Sequence, residues 1–180
     1  MKTTDTSEKG LESLIVRYLT GQAPEQETPD NAVQAGAPHY ALGGYLLGNA
    51  ADYNRDLAMD VPQLLAFLQD TQPKPFAALG LGEEGTKRTQ FLHRLQGEIS
   101  KRGVVDVLRK GVSHAAAGGT AHFDLYKVLP TPGDPASAEN FKKNLFSVTR
   151  QLRYSNDETQ RSLDMVVFLN GLTLITFELK

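Results

Sequence analysis

Three residues near the end of the chain combine types and spacing that could do chemistry. Asp164 interrupts the apolar run from Leu163 to Leu169, and Glu178 and Lys180 close a second run that starts at Leu172. A charge inside so apolar a β-type segment is costly unless it is paired or holds a cation. Two carboxylates converging on one point suit a hard cation such as Mg2+, which takes oxygen ligands and keeps several waters. Glu178 and Lys180 are two apart and so share a strand face. A lysine there can orient or help deprotonate a water beside the cation, while the cation stabilises charge on an attacked phosphodiester. The spacing alone is equally compatible with a hairpin whose terminal charges reach out to solvent.

The elements that must position these groups are legible around them. Asn170-Gly171 lies between the two apolar runs and is the strongest short-range hairpin signal. A regular two-residue turn pairs Leu169 with Leu172, sets Asp164 against Phe177 and turns Glu178 to the other face. A shared site therefore requires a three-residue loop with Gly171 in the left-handed region and a G1 bulge, or a bulge elsewhere in the hairpin. Leu145 to Tyr154 alternates apolar and polar residues and predicts a neighbouring strand, and His122 to Leu129 predicts another. Upstream, Asp5-Thr6-Ser7-Glu8 reads as a helix start, followed by Leu11, Leu14, Ile15, Tyr18 and Leu19 at helical spacing. Residues 20–50 read as a long loop. Val61 to Asp70, with Pro62 in its first turn, and Thr86 to Lys101 predict helices. Val104 to Arg109 either continues the second of these or starts a strand, and Gly111 to Thr120 reads as a small-residue loop.

Other chemistries are excluded or weak. The 180 residues contain no cysteine, which removes disulfides, thiolate metal sites and thiol nucleophiles and fits a reducing cytoplasm. No apolar run approaches the roughly 20 residues of a membrane span. Gly80-x-Gly82-x-x-Gly85 matches a dinucleotide fingerprint as a string, but Glu83 and Glu84 would repel a pyrophosphate, and a turn is the plainer reading. The chain has no P-loop, and its four histidines show no ligand spacing. The formal charge of −2 hides an asymmetry: residues 1–85 carry 5 Lys/Arg against 12 Asp/Glu, whereas residues 86–180 carry 14 against 9. The basic half holds the acid pair, and Arg150, Arg153 and Arg161 near it are candidate phosphate contacts, although solvated strand-edge charges read equally well.

The pattern Asp…Glu-x-Lys is the signature of the PD-(D/E)xK nucleases, with Leu163 here in place of the usual proline. The stretch RQLRYSNDETQRSLDMVVFLNGLTLITFELK, with SEKGLESLIVRYLTG, DYNRDLAMDVPQLLAFLQDTQP and KRGVVDVLRKGV, resembles the N-terminal nuclease domain of the restriction (R) subunit of type I restriction–modification enzymes. The resemblance implies an α/β (mixed α+β) fold, with a nuclease-like central sheet flanked by helices. It implies a division into a first helix over 1–20, a loop over 20–50, a helical insertion over 51–116 and a catalytic sheet over 120–180. It further implies Mg2+-dependent cleavage of double-stranded DNA in the cytoplasm, after translocation by an ATP-driven motor, in a complex with modification and specificity subunits. Asp164 and Glu178 would bind the metal together with the Leu179 carbonyl, Lys180 would act on the water, and an acid on the first helix, Glu12 or in reserve Glu8, would join them. The family's nuclease domain continues into a further helix with a Gln/Tyr motif and then the motor, so these residues are expected to be part of a longer enzyme and inactive alone. Two other readings stand beside this one: a nuclease of the same fold in a repair pathway, and a DNA-gripping or docking module without catalysis.

Overall fold

The computed structural model describes residues 7–21, 44–116, 119–155 and 161–179. Its centre is a six-stranded mixed sheet built around the expected hairpin. Strands β1 (Leu46–Leu47), β2 (Tyr53–Asn54), β3 (Met59–Asp60), β6 (Phe146–Arg153), β7 (Ser162–Leu169) and β8 (Leu172–Phe177) lie in the order β1-β6-β7-β8-β3-β2. β1 runs parallel to β6 and the other neighbours are antiparallel. The helices are α1 (Glu8–Thr20), α2 (Val61–Thr71), α3 (Pro73–Ala78), α4 (Thr86–Arg102), α5 (Val104–Lys110) and α6 (Pro135–Phe141). A separate two-stranded hairpin joins β4 (Val112–Ala116) to β5 (Gly119–Phe123).

The large apolar core does not sit under the acid pair. It gathers Leu64, Phe67 and Leu68 of α2, Phe91, Leu92 and Leu95 of α4, and Val107 of α5 with Phe123, Leu125 and the hairpin-tip residues Leu169 and Leu172. Two smaller clusters cover the sheet. Val16 of α1 packs on Val148, Met165 and Val167, flanked by Ile15, Leu19, Phe177 and Leu179. Leu152, Val166 and Phe168 pack with Tyr53 and Leu163.

α1 begins within the expected start, but the cap is Ser7, accepting from the Gly10 N–H, with Glu8 the first helical residue and not the third; the helix ends on left-handed Gly21. Its sheet-facing residues are Glu12, Val16 and Thr20, with Ile15 and Leu19 beside them, while Leu11, Leu14 and Tyr18 of the expected apolar stripe are exposed. The predicted loop from Gly111 to Thr120 contains β4 and the start of β5, which runs on to Phe123. Its small residues hide the alternation, and its pairing is anchored by Val112 and Phe123, both buried against the helices. The predicted strand from His122 ends at Phe123. Beyond it, side chains take the place of a strand partner: Gln72 accepts from the Asp124 N–H and donates to its carbonyl, and Asn144 does the same for Lys127. The ambiguous segment after Gly103 is helical. Residues 51–116 carry α2 to α5 and also supply β2 and β3 to the central sheet. Residues 22–43, most of the expected long loop, lie outside the described residues.

Candidate active site at the open end of the hairpin

The β7–β8 hairpin turns through two residues. Leu169 pairs with Leu172, and Asn170 and Gly171 have φ of 52° and 78°, as a type I′ turn requires. The tip is held on both sides. The Asn170 side chain accepts from the Leu145 N–H at 2.7 Å and donates to the Leu125 carbonyl and to Asn144 Oδ1. The Gly171 carbonyl accepts from the Asp60 N–H, and a Cβ on Gly171 would lie 2.3 Å from the Asp60 oxygen and 2.6 Å from the Leu64 nitrogen. Glycine is therefore needed both for its φ and because the start of α2 lies against it.

With this turn alone, Asp164 and Glu178 would face opposite ways. The register shifts between Val167 and Phe168: Phe168 pairs with Thr173, but Val167 pairs with Ile175. Leu174 is the extra residue of a bulge, and beyond it Val166 meets Thr176 and Met165 meets Phe177. The ladder ends at that pair; carried on by one residue, the same register would set Glu178 across from Asp164. The expectation of a bulge somewhere in the hairpin is met in β8, not in the turn. Thr173 helps hold the bulged strand by donating through Oγ1 to the carbonyl of Ala58, at 2.9 Å.

Asp164 also ends the ladder. Its Oδ2 accepts from the Leu179 N–H at 2.6 Å, so a carboxylate stands where the next backbone partner would be. Asp164 is half-buried, Glu178 is exposed and Leu179 is half-buried. Lys180 lies outside the described residues.

The same level of the sheet is irregular on the other side of β7. Arg150 pairs with Met165 and Leu152 with Leu163, but no ladder pair joins Gln151 to Asp164 between them. Gln151 has φ of 47°, a left-handed value that a non-glycine residue adopts at a cost. The kink also changes faces. Arg150 meets Glu12 of α1, and Met165 packs on Val16 of α1, whereas Leu152 and Leu163, each two residues away, pack with Tyr53 in the other cluster.

Glu12 is buried, at 3% exposure, and its carboxylate is taken up by this kink. Oε1 accepts from Arg150 Nε at 2.5 Å, and Oε2 accepts from Gln151 Nε2 at 3.1 Å. A buried carboxylate needs such partners, because an unpaired charge there would cost several kcal/mol. The structure thus joins Asp164 to the Leu179 N–H, next to Glu178 in the chain, and gives Glu12 to Arg150 and Gln151. Among the described residues, no three His, Asp or Glu side chains gather closely enough to hold a metal ion. The reserve acid, Glu8, opens α1 in its exposed first turn, where a carboxylate favours the helix dipole. Of the candidate phosphate contacts, Arg153 and Arg161 are exposed at the outer ends of β6 and β7, and Arg150 is bound to Glu12. Sequence reasoning missed Gln151 and Leu174, since nothing in an alternating apolar pattern marks a kink or an inserted residue.

The donor set near Asp164 is all oxygen, and it fits a hard cation. With Oδ2 engaged by Leu179, Asp164 Oδ1, the Glu178 carboxylate and the Leu179 carbonyl remain as possible ligands, and water would complete a Mg2+ shell. No helix of the described residues is long and apolar enough to cross a membrane. No curated protein and no solved structure matches the chain. Residues 82–180, from the turn before α4 through the whole hairpin, match the family described as the type I restriction enzyme R protein N terminus. The match contains Asp164, Glu178, Leu179 and Lys180, and Glu12 lies before it. It spans more than half of the 180 residues, and the chain belongs to this family of type I restriction enzyme R-subunit N-terminal regions.

Proposed function

We propose that this chain is the Mg2+-dependent endonuclease region of a type I restriction R subunit. It would cleave double-stranded DNA after ATP-driven translocation by other domains of the enzyme, in a complex with modification and specificity subunits. One observation carries the reading. The Leu174 bulge shifts the register of the hairpin by one, and this parity, carried one residue past the Met165–Phe177 pair, would align Asp164 with Glu178 where an unbulged hairpin would separate them. A purely structural hairpin with two solvated ends has no use for that alignment.

When bound, the Mg2+ would neutralise charge developing on the attacked phosphodiester. Asp164, fixed by its hydrogen bond from Leu179, and the exposed Glu178 would hold it, with the Leu179 carbonyl beside them. Lys180 would orient the attacking water and assist loss of its proton. Arg153 and Arg161 would grip phosphates on either side, so DNA binding would weaken steeply with salt, by close to one power of the salt concentration per phosphate neutralised. Target recognition would rest with the specificity subunit, and no residue here is assigned to it.

The test is cleavage by the intact enzyme with its partner subunits, with ATP hydrolysis read in the same reaction. Asp164→Ala and Lys180→Ala should each lower cleavage by at least about 100-fold, the scale on which a removed charge-stabilising or water-activating group acts. ATP hydrolysis should stay at the wild-type level. Deleting Leu174 should abolish cleavage equally, by turning Glu178 to the other face. Cleavage that survives both substitutions would overturn the catalytic reading in favour of a DNA-gripping module.

A further inference from the structure

We infer that Glu12 is a positioning residue that acts through β6. Its carboxylate holds the Gln151 kink, and the kink sets the orientation of Asp164. The inference rests on the metal-site reading of Asp164 but concerns contacts within the chain. Three observations support it. Gln151 holds a positive φ with a side chain that is not glycine, which persists only where surrounding contacts enforce it. Glu12 supplies those contacts: its Oε2 accepts from the Gln151 side-chain amide, and its Oε1 accepts from the guanidinium of the preceding Arg150. At this level β6 and β7 exchange faces without a ladder pair between Gln151 and Asp164, which frees Asp164 from regular pairing and lets Oδ2 accept from Leu179.

The chain of contacts is short and physical. α1 packs on the sheet through Val16, one helical turn after Glu12, so the helix delivers the carboxylate to β6 at a fixed height. Removing its charge would weaken the hold on the Arg150 and Gln151 side chains, and β6 would relax toward an ordinary extended strand. Gln151 would then compete for the backbone of residue 164, and the Asp164–Leu179 hydrogen bond would loosen. The neighbouring Glu178 and Leu179 carbonyl would move with it.

The test uses Glu12→Gln, Gln151→Gly and the two combined. Glycine takes the left-handed conformation freely, so it keeps the kink without the carboxylate. Two quantities are read: hydrogen exchange at the Leu179 amide by 15N NMR, and Mg2+ affinity by titration calorimetry. Glu12→Gln should speed Leu179 exchange about tenfold and weaken Mg2+ binding by a similar factor. In the Gln151→Gly background both losses should shrink to about twofold. Unchanged Leu179 exchange with weakened Mg2+ binding would overturn the inference and make Glu12 a direct ligand. Equal losses in both backgrounds would overturn it too, since the kink would not be the route. Failure of the metal reading would show separately, as unchanged Mg2+ affinity in Asp164→Asn, and Leu179 exchange would still decide the role of Glu12.

Discussion

At its tip, the β7–β8 hairpin buries Asn170 and Gly171, gives the Asn170 side chain three partners and lays the start of α2 against Gly171. At its open end the same two strands are irregular, half-exposed and charged: Asp164 caps the ladder, Glu178 faces solvent and Gln151 is kinked alongside. One hairpin thus has a structural end and an end proposed for chemistry. Asn170-Gly171, the most recognisable dipeptide of the stretch, acts in folding. The Leu174 bulge between the two ends shifts the register fixed at the tip to the parity that the proposed site requires at the other end.

This contrast predicts large stability effects at the tip and small ones at the open end. Gly171→Val should be the most damaging change, lowering stability by at least about 4 kcal/mol in urea unfolding, because it combines a positive φ with collisions against backbone atoms. A smaller loss would mean that α2 can move off the tip.

Asp60 comes next. It caps α2 by accepting from the Gln63 N–H, and it is buried, which pushes its carboxyl from 3.8 up to about 6, against the lowering effect of its Gln63 hydrogen bonds, with Asp52 adding repulsion. The folded state therefore holds the proton more tightly than the unfolded state. The resulting stabilisation is fully present below pH 3.8 and is lost as pH rises through about 6. The difference is worth up to about 3 kcal/mol between pH 4 and 7. Asp60→Asn keeps a cap and should remove this component from the stability–pH profile. A profile identical to the wild type would show that Asp60 does not titrate in this range.

Asn170→Ala should cost about 2 kcal/mol, by leaving the Leu145 N–H and the Asn144 side chain short of a partner and by losing a residue tolerant of positive φ. Glu178→Gln should change stability by less than about 0.5 kcal/mol, as an exposed substitution does, while abolishing metal-dependent cleavage. If Glu178→Gln is as destabilising as Asn170→Ala, the division of the hairpin into two kinds of end fails.

Much of this was legible in the chain. The hairpin, its Asn-Gly turn and the neighbouring β6 follow from alternation and turn chemistry. So do α2 and α4, from apolar spacing and from Pro62 in the first turn of α2. The need for a bulge was also legible, because parity separates Asp164 from Glu178 without one. Its place was not, since Leu174 sits in LTLITF, where every register offers an apolar residue. The Glu12–Arg150 pair joins residues 138 apart, and no local pattern carries that information. The stripe expected to bury α1 misled for a related reason. Of the expected stripe Ile15 and Leu19 do pack on the sheet, but Leu11, Leu14 and Tyr18 stay exposed, because the sheet takes the face with Glu12, whose partners lie on a distant strand.

The buried tip has a consequence for how the molecule ages. Asn-Gly is the dipeptide most open to spontaneous deamidation, in which the backbone nitrogen of the glycine attacks the asparagine side-chain carbonyl. In the folded chain that carbonyl is held by the Leu145 N–H, and its amide is tied to Leu125 and Asn144, so it cannot swing toward Gly171. The most fragile bond in the hairpin is therefore shielded for as long as the tip stays docked, and chemical wear at Asn170 accumulates in molecules that have opened.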